Sequence, residues 1–179
     1  MAQAGWVFDA FRCIGCHACH VSCKAENNTM ELQTGGANLS YRRVVIQESG
    51  TFPHPKREPI SMACNHCARP SCIPSCPVDA ISKREADGIV LIDQDLCIGC
   101  GYCEAACPYG APKLNVNTGK YEKCTLCVHR TSVGLQPACV PTCVGAALRF
   151  VADGDFSDHG VVPEQFADTG LTNPSIKFV

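Results

Sequence analysis

The chain has 179 residues, of which 7% are aromatic and 16 are cysteines, and its formal net charge is −2. This length allows one ordinary domain or two very small ones. A chain with few large side chains buries little apolar surface per residue, so we expect disulfides or bound metal to supplement its core. The basic residues are scattered apart from Arg42 and Arg43, which argues against nucleic-acid binding. No nucleophile–base pair or phosphate-binding loop indicates catalysis.

Local sequence patterns predict short strands and short helices in an α+β fold. Four segments are predicted to be strands, of which 6–8 and 89–92 are apolar, brief and rich in β-forming residues. In chain order these segments are 6–8, 41–48, 89–92 and 146–151. Helices are predicted around 19–26 and 102–107, and Pro108 would end the second of them. The segments 78–83 and 88–92 are predicted to pair as a hairpin.

Two segments contain no cysteine and show neither pattern. Residues 27–40 are polar and contain glycine, which predicts a surface insertion. Residues 153–179 contain glycine, proline and aspartate with little periodicity. In so small a domain we expect this segment to lie extended over a partner rather than to pack as core, with a disordered terminus as the alternative. The chain is therefore divided into a cysteine-rich domain over 1–150 and a partner-contacting tail over 151–179.

The cysteines form four runs of four, and none lies outside these runs. The first and third runs have the spacing C-x2-C-x2-C-x3-C. In bacterial ferredoxins this spacing places three thiolates on one cubane cluster and the fourth on a second cluster. At four thiolates per cluster, 16 cysteines predict four 4Fe-4S clusters. The runs are Cys13, Cys16, Cys19, Cys23; Cys64, Cys67, Cys72, Cys76; Cys97, Cys100, Cys103, Cys107; and Cys124, Cys127, Cys139, Cys143.

Two other uses of cysteine compete with this interpretation. A secreted disulfide protein would also have an even cysteine count, but disulfide-linked loops rarely repeat adjacent CxxC pairs. Two of the CxxC pairs would fit a zinc ribbon if taken alone, but zinc leaves the repeated spacing unexplained. Those pairs are Cys64, Cys67 and Cys124, Cys127.

Basic residues and histidines near the cysteine runs are not expected to be further ligands. The basic residues Arg12, Lys123 and Arg130 flank the runs, where they either raise cluster potentials or form part of the solvated surface. Histidines also lie inside or beside the runs, but cysteine already fills every ligand position, so we expect them to bind no metal. These histidines are His17, His20, His66 and His129.

The chain repeats itself. Residues 9–23 correspond to 93–107 in the aspartate, the CIGC turn and every later cysteine, and 72–82 correspond to 139–149. This order predicts a duplication that gives two ferredoxin-like modules related by a pseudo-twofold axis, each holding two four-iron clusters.

Membrane association is expected to be indirect. Residues 1–12 show no secretory signal pattern, and the apolar run 89–92 is far too short to cross a bilayer. We therefore expect no direct membrane span. Function at a membrane would require an anchoring subunit, and function outside the cytoplasm would require export in the folded state with a partner that carries the signal.

The motifs resemble a known family. RCIGCHACHVSCKAENN, CNHCARPSCIPSCPVDAI, DLCIGCGYCEAACPYGAP and KCTLCVHR…CVPTCVGAA are similar to those of the iron–sulfur, beta-type subunits of membrane-bound molybdopterin oxidoreductases. The resemblance covers about residues 5–150 and is nearest to the short dimethyl sulfoxide or polysulfide reductase type, because the insertions of the nitrate reductase branch and its tryptophan at the position of Cys100 are missing. A cysteine at this position implies a four-iron rather than a three-iron cluster.

The resemblance also implies which cysteines share a cluster. Each cluster would take three ligands from one run and the fourth from another. The implied sets are Cys13, Cys16, Cys19 and Cys143 for the first cluster; Cys124, Cys127, Cys139 and Cys23 for the second; Cys64, Cys67, Cys72 and Cys107 for the third; and Cys97, Cys100, Cys103 and Cys76 for the fourth.

The function implied by the resemblance is electron transfer in anaerobic respiration, without catalysis by this chain itself. Electrons would pass between a molybdopterin (Mo/W-bisMGD) catalytic subunit, on which the first module docks, and an integral membrane anchor subunit with a quinone or haem site, which the fourth cluster faces. The chain would be peripheral and attached through its partners, with the periplasmic face by co-export favoured over the cytoplasmic face. The alternative is a soluble four-cluster carrier for a cytosolic formate dehydrogenase or hydrogenase.

Overall fold

A computed structural model describes residues 2–31 and 38–179. Short helices and strands are connected by long loops that contain most of the cysteines. The helices are α1 (Ala18–Glu26), α2 (Tyr102–Ala106) and α3 (Val128–Thr131), with a 3-10 turn at Thr169–Leu171. The strands are β1 (Gly5–Phe8), β2 (Arg43–Ser49), β3 (Lys56–Met62), β4 (Ile81–Lys83), β5 (Val90–Ile92), β6 (Lys113–Asn115), β7 (Lys120–Glu122), β8 (Leu148–Val151) and β9 (Ile176–Phe178).

A three-stranded sheet joins the two ends of the chain. Strand β1 lies in its centre, antiparallel to β8 and parallel to β9. The β1 side chains Trp6 and Phe8 are completely buried, as expected for a central strand covered by other elements. The predicted strands at 6–8 and 146–151 are confirmed, and each lies close to cysteine-containing loops.

The C-terminal segment packs against the rest of the chain. Strand β9 hydrogen-bonds to β1, Phe166 stacks on Tyr109 with ring centroids 4.9 Å apart, and Phe178 meets Phe8 edge to face. Phe156, Phe166 and Phe178 are all buried. The prediction of an extended or disordered tail over 151–179 is therefore wrong: its aromatic residues are too widely spaced for a periodic pattern, yet they bury enough area to hold the segment in place. That this segment also contacts a partner stays a prediction.

The remaining strands form three antiparallel hairpins, β2–β3, β4–β5 and β6–β7. The predicted strand at 41–48 and the predicted hairpin between 78–83 and 88–92 are confirmed by β2 and by β4–β5. Strands β6 and β7 were not predicted, since they are polar and only three residues long. Strand β3 was not predicted because it begins with three charged residues. Residues 32–37 of the predicted surface insertion lie outside the described residues.

Both predicted helices are confirmed, and each begins within a cysteine run. Helix α1 starts after His17 and α2 after Gly101, both in the left-handed backbone conformation at φ 62° and 85°. Helix α2 ends before Pro108, as predicted. No helix in the described ranges is long and apolar enough to cross a membrane.

Candidate metal centre

The structure gathers the cysteines into four groups of four, although no two of them form a disulfide. The cysteines of group 1 interact electrostatically around Cys13, and those of groups 2, 3 and 4 each line one cavity. Each group contains three cysteines of one run and one of another. Group 1 is Cys13, Cys16, Cys19, Cys143; group 2 is Cys23, Cys124, Cys127, Cys139; group 3 is Cys64, Cys67, Cys72, Cys107; and group 4 is Cys76, Cys97, Cys100, Cys103.

These groups have the same members as the four sets that the family resemblance implies. Within residues 2–31 and 38–179, no three His, Cys, Asp or Glu side chains are arranged as a site for one metal ion. Binding of a cluster by each group stays a prediction, because proximity of four sulfurs is not itself a bond to iron.

Tight backbone turns bring the cysteines together. Gly99, between two cysteines of the third run, has φ +70°, and a Cβ atom there would lie 2.0 Å from the carbonyl oxygen of Gly119. No other residue fits this position without moving the β6–β7 turn. Gly15, at the equivalent place in the first run, has φ +67° and packs against Pro59 of β3. Both glycines therefore lie in tightly curled loops, where the positive φ favours glycine.

The last cysteine of every run accepts a hydrogen bond from the residue four positions later. The backbone N–H groups of Ala80, Ala111 and Ala147 donate to sulfurs at 3.3, 3.5 and 3.2 Å. In the first run the side-chain amide of Asn27 donates instead, at 3.6 Å. Such donors stabilise the thiolate form of a cysteine. The accepting residues are Cys76, Cys107, Cys143 and Cys23.

Group 2 is the most deeply enclosed of the four. All of its cysteines are buried. Burial raises the pKa of Cys23 to about 12 and that of Cys124 well above the ordinary value for a thiol. Without a bound metal these side chains would remain protonated, and metal binding would have to displace their protons.

A buried arginine lies against group 2. Arg42 is 1% exposed, and its guanidinium lies 4.3 Å from the centre of the Trp6 ring. Its Nη1 donates to Ser61 Oγ at 2.9 Å, while Nε and Nη2 have no oxygen or nitrogen partner. Burial lowers the pKa of Arg42, but the charges of four nearby cysteines together raise it by more; in order of effect these are Cys139, Cys124, Cys19 and Cys23.

The buried charge of Arg42 tests whether group 2 fits an anionic cluster. An unpaired buried cation lowers the stability of the fold by several kcal/mol, roughly the free energy needed to remove an ion from water. Four neutral thiols do not balance it. An oxidised 4Fe-4S cluster with four thiolates carries a charge of roughly −2 and would balance it. The residues of group 2 therefore fit such a cluster, with Arg42 as a counter-charge.

Group 3 has its own buried cation. Lys123 is 3% exposed, lines the cavity of group 3, and donates hydrogen bonds to the carbonyl oxygens of Val90 and Cys124. Burial raises the pKa of Cys72 to about 12, against the opposing effect of Lys123. Of the predicted flanking cations Lys123 is therefore enclosed, whereas Arg12 is exposed.

The buried histidine of this region is neutral. His66 is completely buried, and its Nδ1 lies 3.0 Å from the backbone N–H of Val90, from which it accepts a hydrogen bond. Burial lowers the pKa of His66 well below its ordinary value. A neutral ring that accepts at Nδ1 carries its proton on Nε2.

Groups 1 and 4 reach the surface. Cys16 of group 1 and Cys100 of group 4 are exposed. The isoleucines beside them, Ile14 and Ile98, are 60% and 62% exposed. These two isoleucines occupy equivalent positions in the CIGC turns of the first and third runs.

Sequence reasoning did not single out Arg42 or Ser61. Arg42 drew attention only as half of a basic pair, and nothing in the sequence distinguishes it from Arg43. The distinction is structural: Arg43 donates to the carbonyl oxygens of Tyr109 and Gly110, while Arg42 faces the cysteines.

Comparison with known proteins places the chain in a family. A family model described as a 4Fe-4S dicluster domain matches residues 57–153. The B subunit of tetrathionate reductase from Salmonella typhimurium is 44% identical over 147 residues, which are 82% of this chain and 56% of that protein. The B subunit of sulfite dehydrogenase from Allochromatium vinosum is 39% identical over 88% of this chain and 71% of its own length. The B subunit of anaerobic dimethyl sulfoxide reductase from Escherichia coli is 38% identical over 83% of this chain and 73% of its own length.

These relatives agree with the family resemblance of the motifs. The chain spans little more than half the length of the tetrathionate reductase subunit and nearly three quarters of the other two. All three are named as subunits of oxidoreductases, which fits the interpretation as a complex subunit and not the alternative of a soluble carrier. The chain therefore belongs to the iron–sulfur, beta-type electron-transfer subunits of the molybdopterin oxidoreductases and contains their 4Fe-4S dicluster domain.

Proposed function

We propose that this chain relays electrons one at a time through four 4Fe-4S clusters, between a molybdopterin catalytic subunit and a membrane subunit with a quinone or haem site. As a member of its family it is the non-catalytic part of such a complex. The observation that carries the proposal is the gathering of 16 unpaired cysteines into four groups of four. Four thiolates are the ligand set of a cubane cluster.

Each group would hold one cluster, with the ligands named above for groups 1 to 4. A bound cluster supplies a site that accepts or gives up one electron. The protein holds the sulfurs in place, donates N–H groups to them and excludes water from group 2. Lysine and arginine side chains offset the negative charge of the inner sites.

Proximity between groups supports an order of transfer. Arg42 interacts electrostatically with Cys19 of group 1 and with Cys23, Cys124 and Cys139 of group 2. Cys124 of group 2 interacts in turn with Cys64 of group 3. Groups 3 and 4 exchange cysteines of the second and third runs. The electrons would therefore pass through groups 1, 2, 3 and 4 in series, in either direction.

The duplication also belongs to this proposal. Groups 1 and 2 share the first and fourth runs, and groups 3 and 4 share the second and third. Helices α1 and α2 begin at equivalent positions in their runs, and all four runs end on a sulfur that accepts a hydrogen bond from residue i+4. These correspondences support two ferredoxin-like modules, each with two clusters.

The partners follow from the relatives. Proteins named as subunits of tetrathionate reductase, sulfite dehydrogenase and dimethyl sulfoxide reductase support a large catalytic subunit that carries Mo/W-bisMGD. An anchor subunit in the membrane would receive or supply electrons at group 4, and co-export with the catalytic subunit would place the complex on the periplasmic face.

Isolation of the native complex tests the proposal. We expect about sixteen irons and about sixteen acid-labile sulfides per chain, together with a pterin-containing subunit and a membrane subunit. Four zinc ions in place of iron, or a chain that purifies alone with its metal complement, would contradict it.

A further inference from the structure

We propose that Arg42 is a tuning residue that raises the reduction potential of the cluster in group 2 by means of a permanent, buried positive charge. This inference rests on the proposed function, because it requires a cluster in group 2. The charge would make the cluster of group 2 easier to reduce, so that an electron passing between groups 1 and 3 would reside there more favourably.

The position of Arg42 is fixed from three sides. The guanidinium lies over the Trp6 ring, its Nη1 donates to Ser61 Oγ at 2.9 Å, and it is 1% exposed. Ser61 Oγ is also 3.3 Å from Cys19 Sγ of group 1. Since Ser61 Oγ accepts from Arg42, its own hydrogen is free to point to that sulfur.

Arg42 lines the same cavity as the four cysteines of group 2. Its Nε and Nη2 are buried and have no hydrogen-bond partner, and its charge interacts with Cys139, Cys124 and Cys23 of this group. No carboxylate forms an ion pair with Arg42 among the described residues. A buried charge is screened less by solvent and salt than a charge at the surface, so it acts more strongly on neighbouring groups.

The sign of the effect follows from charge. Reduction adds one electron, supplied by the neighbouring cluster that is oxidised by one electron, and no proton is transferred. The reduced cluster is more negative than the oxidised one, so a nearby cation stabilises the reduced form more. Loss of the cation therefore lowers the midpoint potential.

Arg130 provides a matched comparison near the same group. Its charge interacts electrostatically with Cys127. Its side chain, however, is 29% exposed and forms an ion pair with Glu26 at 3.0 Å. Solvent and the carboxylate screen its charge. The same change, arginine to glutamine, should therefore shift the potential much less at position 130 than at position 42.

The experiment is a redox titration of the purified complex followed by EPR, which yields four midpoint potentials. In Arg42→Gln we expect one midpoint to fall by about 59 mV or more, which is a tenfold fall in the constant for one-electron reduction. Arg42→Lys retains the charge, so its constant for one-electron reduction should stay within about threefold of the wild-type value. Arg130→Gln should also stay within this range. Iron content must remain about sixteen per chain in every variant compared.

Unchanged midpoints in Arg42→Gln, or an equal fall in Arg130→Gln, would overturn the proposal. If Arg42→Gln does not assemble, wild-type complex labelled with guanidino-¹⁵N arginine decides the matter. Pulsed EPR of its reduced form should show a weakly coupled arginine nitrogen, which Arg42→Lys should lose. No coupled arginine nitrogen in the wild type would end the proposal, whereas too little iron in the wild type would refute the proposed function itself.

Discussion

The inner and outer cysteine groups differ in the surroundings of their sulfurs. Group 2 is entirely buried and group 3 half so, and each lies beside a buried cation, Arg42 or Lys123. Groups 1 and 4 each expose one cysteine, Cys16 or Cys100. The inner groups are therefore shielded from water, whereas each outer group has one sulfur at the surface. Packing around the cysteines, rather than their spacing in the sequence, decides this difference.

The largest effect should come from removing an inner ligand. We expect Cys124→Ser to lose the cluster of group 2 and much of the fold, because the site lies within the main hydrophobic core and hydrated hydroxyls do not replace thiolates there. Cys16→Ser, at an exposed outer position, should leave the fold intact. Iron content and near-ultraviolet circular dichroism measure both. Equal losses in the two variants would remove the distinction between inner and outer groups.

A second prediction concerns the C-terminal strand that covers β1 close to the inner groups. Phe178→Ala should cost about 3–5 kcal/mol of unfolding free energy, as is typical for a fully buried phenylalanine. Phe11 is 98% exposed beside group 1, and Phe11→Ala should change the free energy by less than about 0.5 kcal/mol. Denaturant unfolding of the intact protein measures both. A small effect at Phe178 would show that the segment contributes little to the core.

A third change alters one outer cluster without disturbing the inner pair. Cys100→Trp removes an exposed ligand of group 4, and we expect a three-iron cluster there, while the other three clusters keep their iron. Low-temperature EPR of the oxidised variant should show the signal of a three-iron cluster. Its absence would mean that Cys100 is not a ligand of the fourth cluster.

The smallest effect on stability is expected from Glu26, which lies at the protein surface near group 2. The hydrogen bond from His129 and the charge of Arg130 hold the pKa of Glu26 below its usual range. A carboxylate with a depressed pKa stabilises the fold above its unfolded pKa of about 4.3, and this contribution disappears as the pH falls through the folded value.

Glu26→Gln should therefore lower the free energy of unfolding by about 0.2–1 kcal/mol at pH 7. Urea denaturation at a series of pH values should show this difference disappear at the acidic end. Glu85→Gln, at an exposed position, serves as the control and should show no such trend. A cost that persists unchanged when the carboxyl is protonated would indicate that packing, rather than charge, holds Glu26.

Much of the local structure was predictable from particular residues. The strand at Trp6, the helix that begins after Gly101 and ends before Pro108, and the hairpin around Asp87 all follow from short-range rules on β-forming residues, glycine and proline. The polar strand Lys56–Met62 was missed, because it is held by its pairing with β2 rather than by its own pattern.

The cysteine spacing by itself predicted four repeated iron–sulfur motifs, because ligand spacing is a property of consecutive residues. Only the tertiary structure decided the surroundings of each site. It placed Arg42 rather than Arg43 against group 2, enclosed Lys123 beside group 3, and folded Phe156, Phe166 and Phe178 back into the core. Burial depends on residues far apart in the chain, so no local pattern records it, although burial governs the strength of a charge and the stability of a segment.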